Sequence, residues 1–170
     1  MLPGRIFPRG KTVATNTMLV DLFPTILDAV GATPDHSDAD LPGRSLIGLA
    51  NSADENRNVF SEYHAIFSPS GVFMVRNERF KYVHYVGYAP QLFDLVADPE
   101  ERSDIAANPA YADVRASCEA VLKRICDPDE VDRAARDDQK RRIEAAGGTT
   151  TILSDGVRIP YTPTPDEFIR

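Results

Sequence analysis

Glu62 and His64 are one residue apart in a run, Asn58 to His64, that reads as a strand. Alternation along a strand puts both side chains on one face. Such a pair can contact a substrate head group, with Glu62 taking a cationic one, or it can form a hydrogen-bonded rim of a sheet. Arg76 and Lys81 flank a predicted hairpin and could attract an oxyanion. Their competing role is pairing with nearby acids, which is worth about 0–1 kcal/mol when exposed. His84, set between Tyr82 and Tyr85, reads as structural. Asp35-His36, with Asp38 and Asp40, gathers the oxygen donors that calcium takes. Counted from Asp38, however, the position that should carry a bidentate glutamate holds Leu49, so a solvated acidic loop is expected.

The elements that must position these groups follow from apolar spacing. Leu19, Leu22, Phe23, Ile26, Leu27 and Val30 recur at helical intervals and predict a helix over 18–30 with one stripe facing a core. Asp21 is the expected N-cap, Pro24 falls in the first turn, and Gly31 is the stop. Ala32 to Pro42 reads as polar loop. Four strands are predicted, over Asn58–His64, Gly71–Arg76, Phe80–Val86 and Gln91–Leu95. Asn77-Glu78-Arg79 joins the second and third as a hairpin. Asn108-Pro109 opens a helix with the stripe Tyr111, Val114, Cys118, Val121, Leu122 and Ile125, which should lie on the sheet. The fold class is therefore α+β, a small antiparallel sheet of three to four strands packed by helices.

Asp127-Pro128 opens a helix of another kind. From Asp129 to Glu144 nearly every residue is charged, with acids early and bases late, as the helix dipole favours. Asp129/Arg133, Asp132/Arg136, Asp137/Arg141 and Asp138/Arg142 are acid-first pairs four residues apart. Gly147-Gly148 ends this helix, and Thr149 to Arg170, with Pro160, Pro163 and Pro165, reads as an extended arm.

Composition excludes some functions. The net charge of −7, from 19 basic and 26 acidic residues, argues against a dedicated nucleic-acid binder. No apolar run reaches the roughly 20 residues that cross a bilayer, so no membrane partner is expected. Met1 to Lys11 is basic but leads into no apolar segment, unlike a secretory signal. Cys118 and Cys126 lie about 12 Å apart along one predicted helix, too far for a bridge within it. Two reduced thiols point to a cytoplasmic home.

Six segments, in order, resemble the C-terminal region of the sulfatases. They are Pro3-Gly4-Arg5-Ile6, the helix from Leu19 through Asp28 to Gly31, Pro42-Gly43-Arg44-Ser45-Leu46, Phe60-Ser61-Glu62-Tyr63-His64, Arg76 with Arg79-Phe80-Lys81-Tyr82, and Leu92-Phe93-Asp94-Leu95 with Asp98-Pro99-Glu100. The Ser-Glu-Tyr-His form is most similar to choline-sulfatase and arylsulfatase-like members. The resemblance implies three parts. Residues 1–50 are a remnant of the large sulfatase domain, 51–126 the antiparallel-sheet subdomain with its packing helix, and 127–170 the charged helix and proline-rich arm.

The resemblance also implies a chemistry. The family hydrolyses sulfate esters with a formylglycine nucleophile, made in a Cys/Ser-x-Pro/Ala-x-Arg motif, beside a calcium ion held by Asp and Asn oxygens. Cys126-Asp127-Pro128-Asp129 begins like that motif but has Glu130 where arginine is required. The implied role is a sulfatase C-terminal fragment that completes the fold and the rim of the active site. It would have no catalytic residue or metal ligand of its own and be inactive alone, and Glu62, His64, Arg76 and Lys81 are its rim candidates. The calcium and formylglycine would belong to the full-length enzyme. The implied partner is the missing N-terminal sulfatase domain or a second copy of the chain. The competing readings are a stand-alone oligomerising module and a fragment of a related phosphate or phosphonate ester hydrolase.

Overall fold

In a computed structural model of the protein the described residues are Gly10, 12–52, 57–65 and 68–154. The chain divides into two compact units, Met1–Asp129 and Glu130–Arg170. The expected Pro3–Ile6 segment and the tail after Ser154 lie outside the described residues.

Alternating β-branched and aromatic residues build four strands: β1 (Val59–Tyr63), β2 (Val72–Arg76), β3 (Phe80–Tyr85) and β4 (Gln91–Asp94). They form an antiparallel meander in the order β1-β2-β3-β4. Each strand lies within the span read from the sequence. Asn77 makes the β2–β3 hairpin, its side-chain oxygen accepting from the Arg79 and Phe80 backbone N–H groups.

Register sorts the side chains, because directly opposed residues share a face. Phe60 opposes Val75, Val75 opposes Tyr82, and Tyr82 opposes Leu92. Phe73 joins this face by opposing both Glu62 and His84. Helix α3 (Ala112–Ile125) packs against β2 and β3, burying Cys118 and Leu122. The Tyr111 ring meets Phe80 edge-on at 6.3 Å, placing α3 over that face. Phe73, Val75, Tyr82, Leu92 and Leu122 are almost free of solvent and form the centre of the core. Asn108 caps the approach to α3 by accepting from the Ala110 N–H, as its sequence signal predicts. Ile125, read as the end of the stripe, is exposed.

The segment before the sheet departs further from expectation. A 3-10 turn (Leu19–Asp21) leads into α1 (Leu22–Val30), which ends at Gly31 with φ +70°. No residue of α1 itself is buried. Of its stripe, expected to face a core, Leu22, Phe23, Ile26 and Val30 are exposed and Leu27 is half-buried. A second helix, α2 (Leu46–Asn51), was not read from the sequence. It is too short for apolar periodicity to register and has a glycine at its middle, yet Ser45 caps it and Leu49 is buried. Between them Asp35 and Asp38 close a capping box on a 3-10 turn (His36–Asp38).

In the second unit the charged helix α4 (Pro128–Ala145) carries Arg136–Asp132 and Arg142–Asp138 ion pairs at 2.8 and 2.6 Å. Arg141 turns to Asp138, three residues back, rather than to Asp137. The chain leaves α4 through two glycines at positive φ and re-enters a helix, α5 (Gly148–Ser154), where an extended arm was expected to begin. Among the described residues no helix is long and apolar enough to cross a membrane.

Candidate functional site

The four candidate residues divide between the two faces of the sheet. Glu62 opposes Phe73, on the face that α3 covers. The His64 ring meets Phe73 edge-on at 5.2 Å, and its Nε2 lies 3.7 Å from Glu62 Oε2. The Glu62 side chain remains 44 % exposed. Arg76 and Lys81 oppose each other across β2 and β3, on the other face. Lys81 Nζ donates to Glu101 Oε2 at 2.6 Å. Glu101 sits at φ +54°, so this ion pair fastens the loop after β4 onto β3. Arg76 is exposed. The strand period thus keeps the carboxylate–imidazole pair and the two cations apart.

A fully buried and heavily engaged polar group is one the sequence reading assigned to a helix cap. Asp21 is fully buried. Its oxygens accept two hydrogen bonds from Arg57, both 2.7 Å, and one each from the backbone N–H groups of Met18 (2.7 Å) and Arg44 (2.9 Å). Burial by itself would raise the Asp21 carboxyl; the Arg57 guanidinium and the two N–H donors outweigh it and hold the group at about 2. Arg57 also donates to the Asn16 carbonyl at 2.9 Å. Thr25 continues the junction. Its hydroxyl donates to the Asp21 carbonyl at 2.6 Å and accepts from the Leu46 N–H at 2.8 Å. Gly43, at φ +136°, lets residues 42–46 lie this close, since a Cβ there would collide with the Val20 carbonyl oxygen. The Val-Asp-Leu-Phe-Pro-Thr and Pro-Gly-Arg-Ser-Leu segments are therefore two halves of one junction, locked to the start of β1 by Arg57. No sequence signal links Asp21 to Arg57, 36 residues away.

The Leu-Phe-Asp-Leu segment has a structural use, as its alternation implies. Leu92 and Phe93 are buried on opposite faces. Asp94 accepts from Arg79 at 2.7 and 3.0 Å and from the Val96 and Ala97 N–H groups. Asp98 holds the Ser103 N–H, and Asp104 bridges the Leu92 and Ala106 N–H groups, which covers the outer edge of β4.

Cys118 and Cys126 are unbridged. Burial, then the charges of Glu62 and Asp127, push the Cys126 thiol up, away from a reactive thiolate. Beside it, a cavity of about 380 Å³ is lined by His84, Glu119, Lys123, Cys126 and Asp127 among others. Lys123 donates to Glu119 at 2.6 Å, and that bond, with Asp127 and Asp129 nearby, raises its ammonium. Among the described residues no group of three His, Cys, Asp or Glu side chains is placed to hold a metal ion.

A family description, N-sulphoglucosamine sulphohydrolase, C-terminal, matches residues 1–141. The chain belongs to the sulfatase family, in its C-terminal region. Arylsulfatase K of Mus musculus is 34 % identical over 120 residues, 63 % of this chain and 21 % of the mouse protein. The choline-sulfatase of Rhizobium meliloti (strain 1021) is 31 % identical over 138 residues, 75 % of this chain and 26 % of that enzyme. A solved structure of an enzyme in complex with its substrate D-glucosamine-2-N,6-O-disulfate superposes with a TM-score of 0.59 at 26 % identity, over 77 % of this chain and 27 % of that one. The chain thus spans about a fifth to a quarter of the sulfatases it matches. The four-stranded sheet with α3 is the sulfatase C-terminal subdomain.

Proposed function

We propose that this chain is the C-terminal portion of a sulfatase-type sulfuric ester hydrolase, which completes the fold and the rim of the active site and carries no catalytic centre of its own. The observation behind this reading is the family match over residues 1–141, set against relatives four to five times longer than the matched region. Hydrolysis needs a nucleophile and a metal in one geometry. The formylglycine and the calcium ion would come from the upstream portion. Within this chain Glu62 and His64 form the rim. They stand at the end of β1, and Glu62 keeps an accessible carboxylate that can meet a cationic or hydroxylated part of the ester. Arg76 and Lys81 lie behind the sheet from that pair, and Lys81 is committed to Glu101.

Two assays test this. The purified chain with added calcium should not turn over 4-nitrophenyl sulfate or a phosphonate monoester; metal-dependent turnover of either would overturn the reading. Grafted in place of the matched region of the Rhizobium choline-sulfatase, the chain should support hydrolysis. In that chimera Glu62→Ala should raise KM for the ester several-fold with little change in kcat, the pattern of a lost binding contact. Arg76→Ala should change neither.

A further inference from the structure

The cavity beside Cys126 lies on the face of the sheet that α3 covers. Glu62 on β1 and His84 on β3 both oppose Phe73 on β2, so they stand two strand spacings apart, about 10 Å. His84 lines the cavity, and its Nδ1 is 3.4 Å from the Tyr82 hydroxyl. Every lining residue precedes Glu130, so the cavity belongs to the first unit alone. Its volume of about 380 Å³ suits a small organic molecule.

The lining decides the charge and shape of what fits. Leu122 and Pro128 are buried and supply an aliphatic wall. Glu119, Asp127 and Asp129 bring three negative charges against one positive, Lys123, a net of −2 with His84 neutral. Helix α3 ends at Ile125, between the lining residues Lys123 and Cys126, so the negative end of its dipole adds to that field. The positive end of α4 is already answered by Asp127, which accepts from the Asp129 N–H at 3.0 Å, and an anion would meet the surrounding carboxylates. Glu62 reaches the same place, since its charge, after burial, helps to raise the Cys126 thiol. Among the described residues no three donors are placed around a metal ion, which leaves organic cations.

We propose that this cavity binds a small aliphatic diammonium ion, its ammonium groups met by Glu119, Asp127 and Asp129 and its methylenes by Leu122 and Pro128. Two positive charges match the net lining charge, and a short carbon chain matches the apolar wall. The inference does not depend on the C-terminal-portion reading.

The test uses the 170-residue chain with 1,4-diaminobutane as the probe, at constant ionic strength. Cys126 is half-buried in the cavity wall and Cys118 is buried, so maleimide labelling of Cys126, located by peptide mass, reports occupancy. The diamine should slow that labelling saturably, at least about 5-fold. Calorimetric titration should give a Kd at least about 3-fold lower for the diamine than for 1-aminobutane, the size of one charge contact in water. Asp129→Asn should raise the diamine Kd about 3-fold, and Lys123→Ala should lower it by about as much. Both side chains are exposed, so circular dichroism of the two variants should match the parent. Magnesium ion at the same concentration slowing Cys126 equally would overturn the proposal, because charge alone would then explain the effect. So would the absence of saturable slowing, or a diamine Kd that Asp129→Asn and Lys123→Ala leave unchanged.

Discussion

Asp21 and Arg57 show how far one buried pair governs local structure. Removing one partner leaves an uncompensated charge, so Asp21→Ala should destabilise the chain by about 3–5 kcal/mol. The double variant Asp21→Leu/Arg57→Met should recover much of that loss, and urea midpoints of the two single variants and the double variant measure the coupling. The pH dependence has a definite sign. The folded carboxyl sits at about 2, below its unfolded value of about 3.9, so its contribution is complete above pH 4 and lost as pH falls through 2. About 2 kcal/mol should disappear across that window, and Asp21→Asn should flatten this part of the stability profile. Gly43→Ala should cost more than about 1 kcal/mol, because both its φ and the Val20 carbonyl oppose a side chain, and a thermal melt reads that directly.

Elements were legible where their signals are local. Strand alternation, Asn77 in the hairpin and Asn108-Pro109 before α3 each act within a few residues, and the structure follows all of them. Asp21 lay beyond that reach. A helix-cap signal and a buried ion-pair signal look alike in sequence, and its partner lies 36 residues on. The stripe of α1 has the right period, but periodicity reports that a face needs cover and not where the cover is. Of the four candidate residues, spacing along one strand was legible and the sheet face of residues on different strands was not. Glu62 and His64 came together as alternation requires, while β2 and β3 carry Arg76 and Lys81 to the other face. Helix α4 gives a further expectation: its Asp132–Arg136 and Asp138–Arg142 pairs are screened by salt, so helicity of an isolated 128–145 peptide should fall between low and 1 M salt.

At the scale of the whole molecule the sheet and the junction make different demands on folding. Every ladder of the sheet joins strands adjacent in the chain, and the β2–β3 connection is only three residues long, Asn77 to Arg79. The Asp21–Arg57 contact closes a much longer loop. Loop closure must be met before a distant contact gives any return, so the meander should zip first and the junction should lock late. Stopped-flow measurements would read this as a fast-folding core whose Asp21→Asn variant unfolds faster yet refolds at nearly the parental rate. In a ribosome-bound chain such an order has a use. A sheet assembled from neighbours can form as soon as its four strands have emerged, and the Asp21–Arg57 latch can close afterwards.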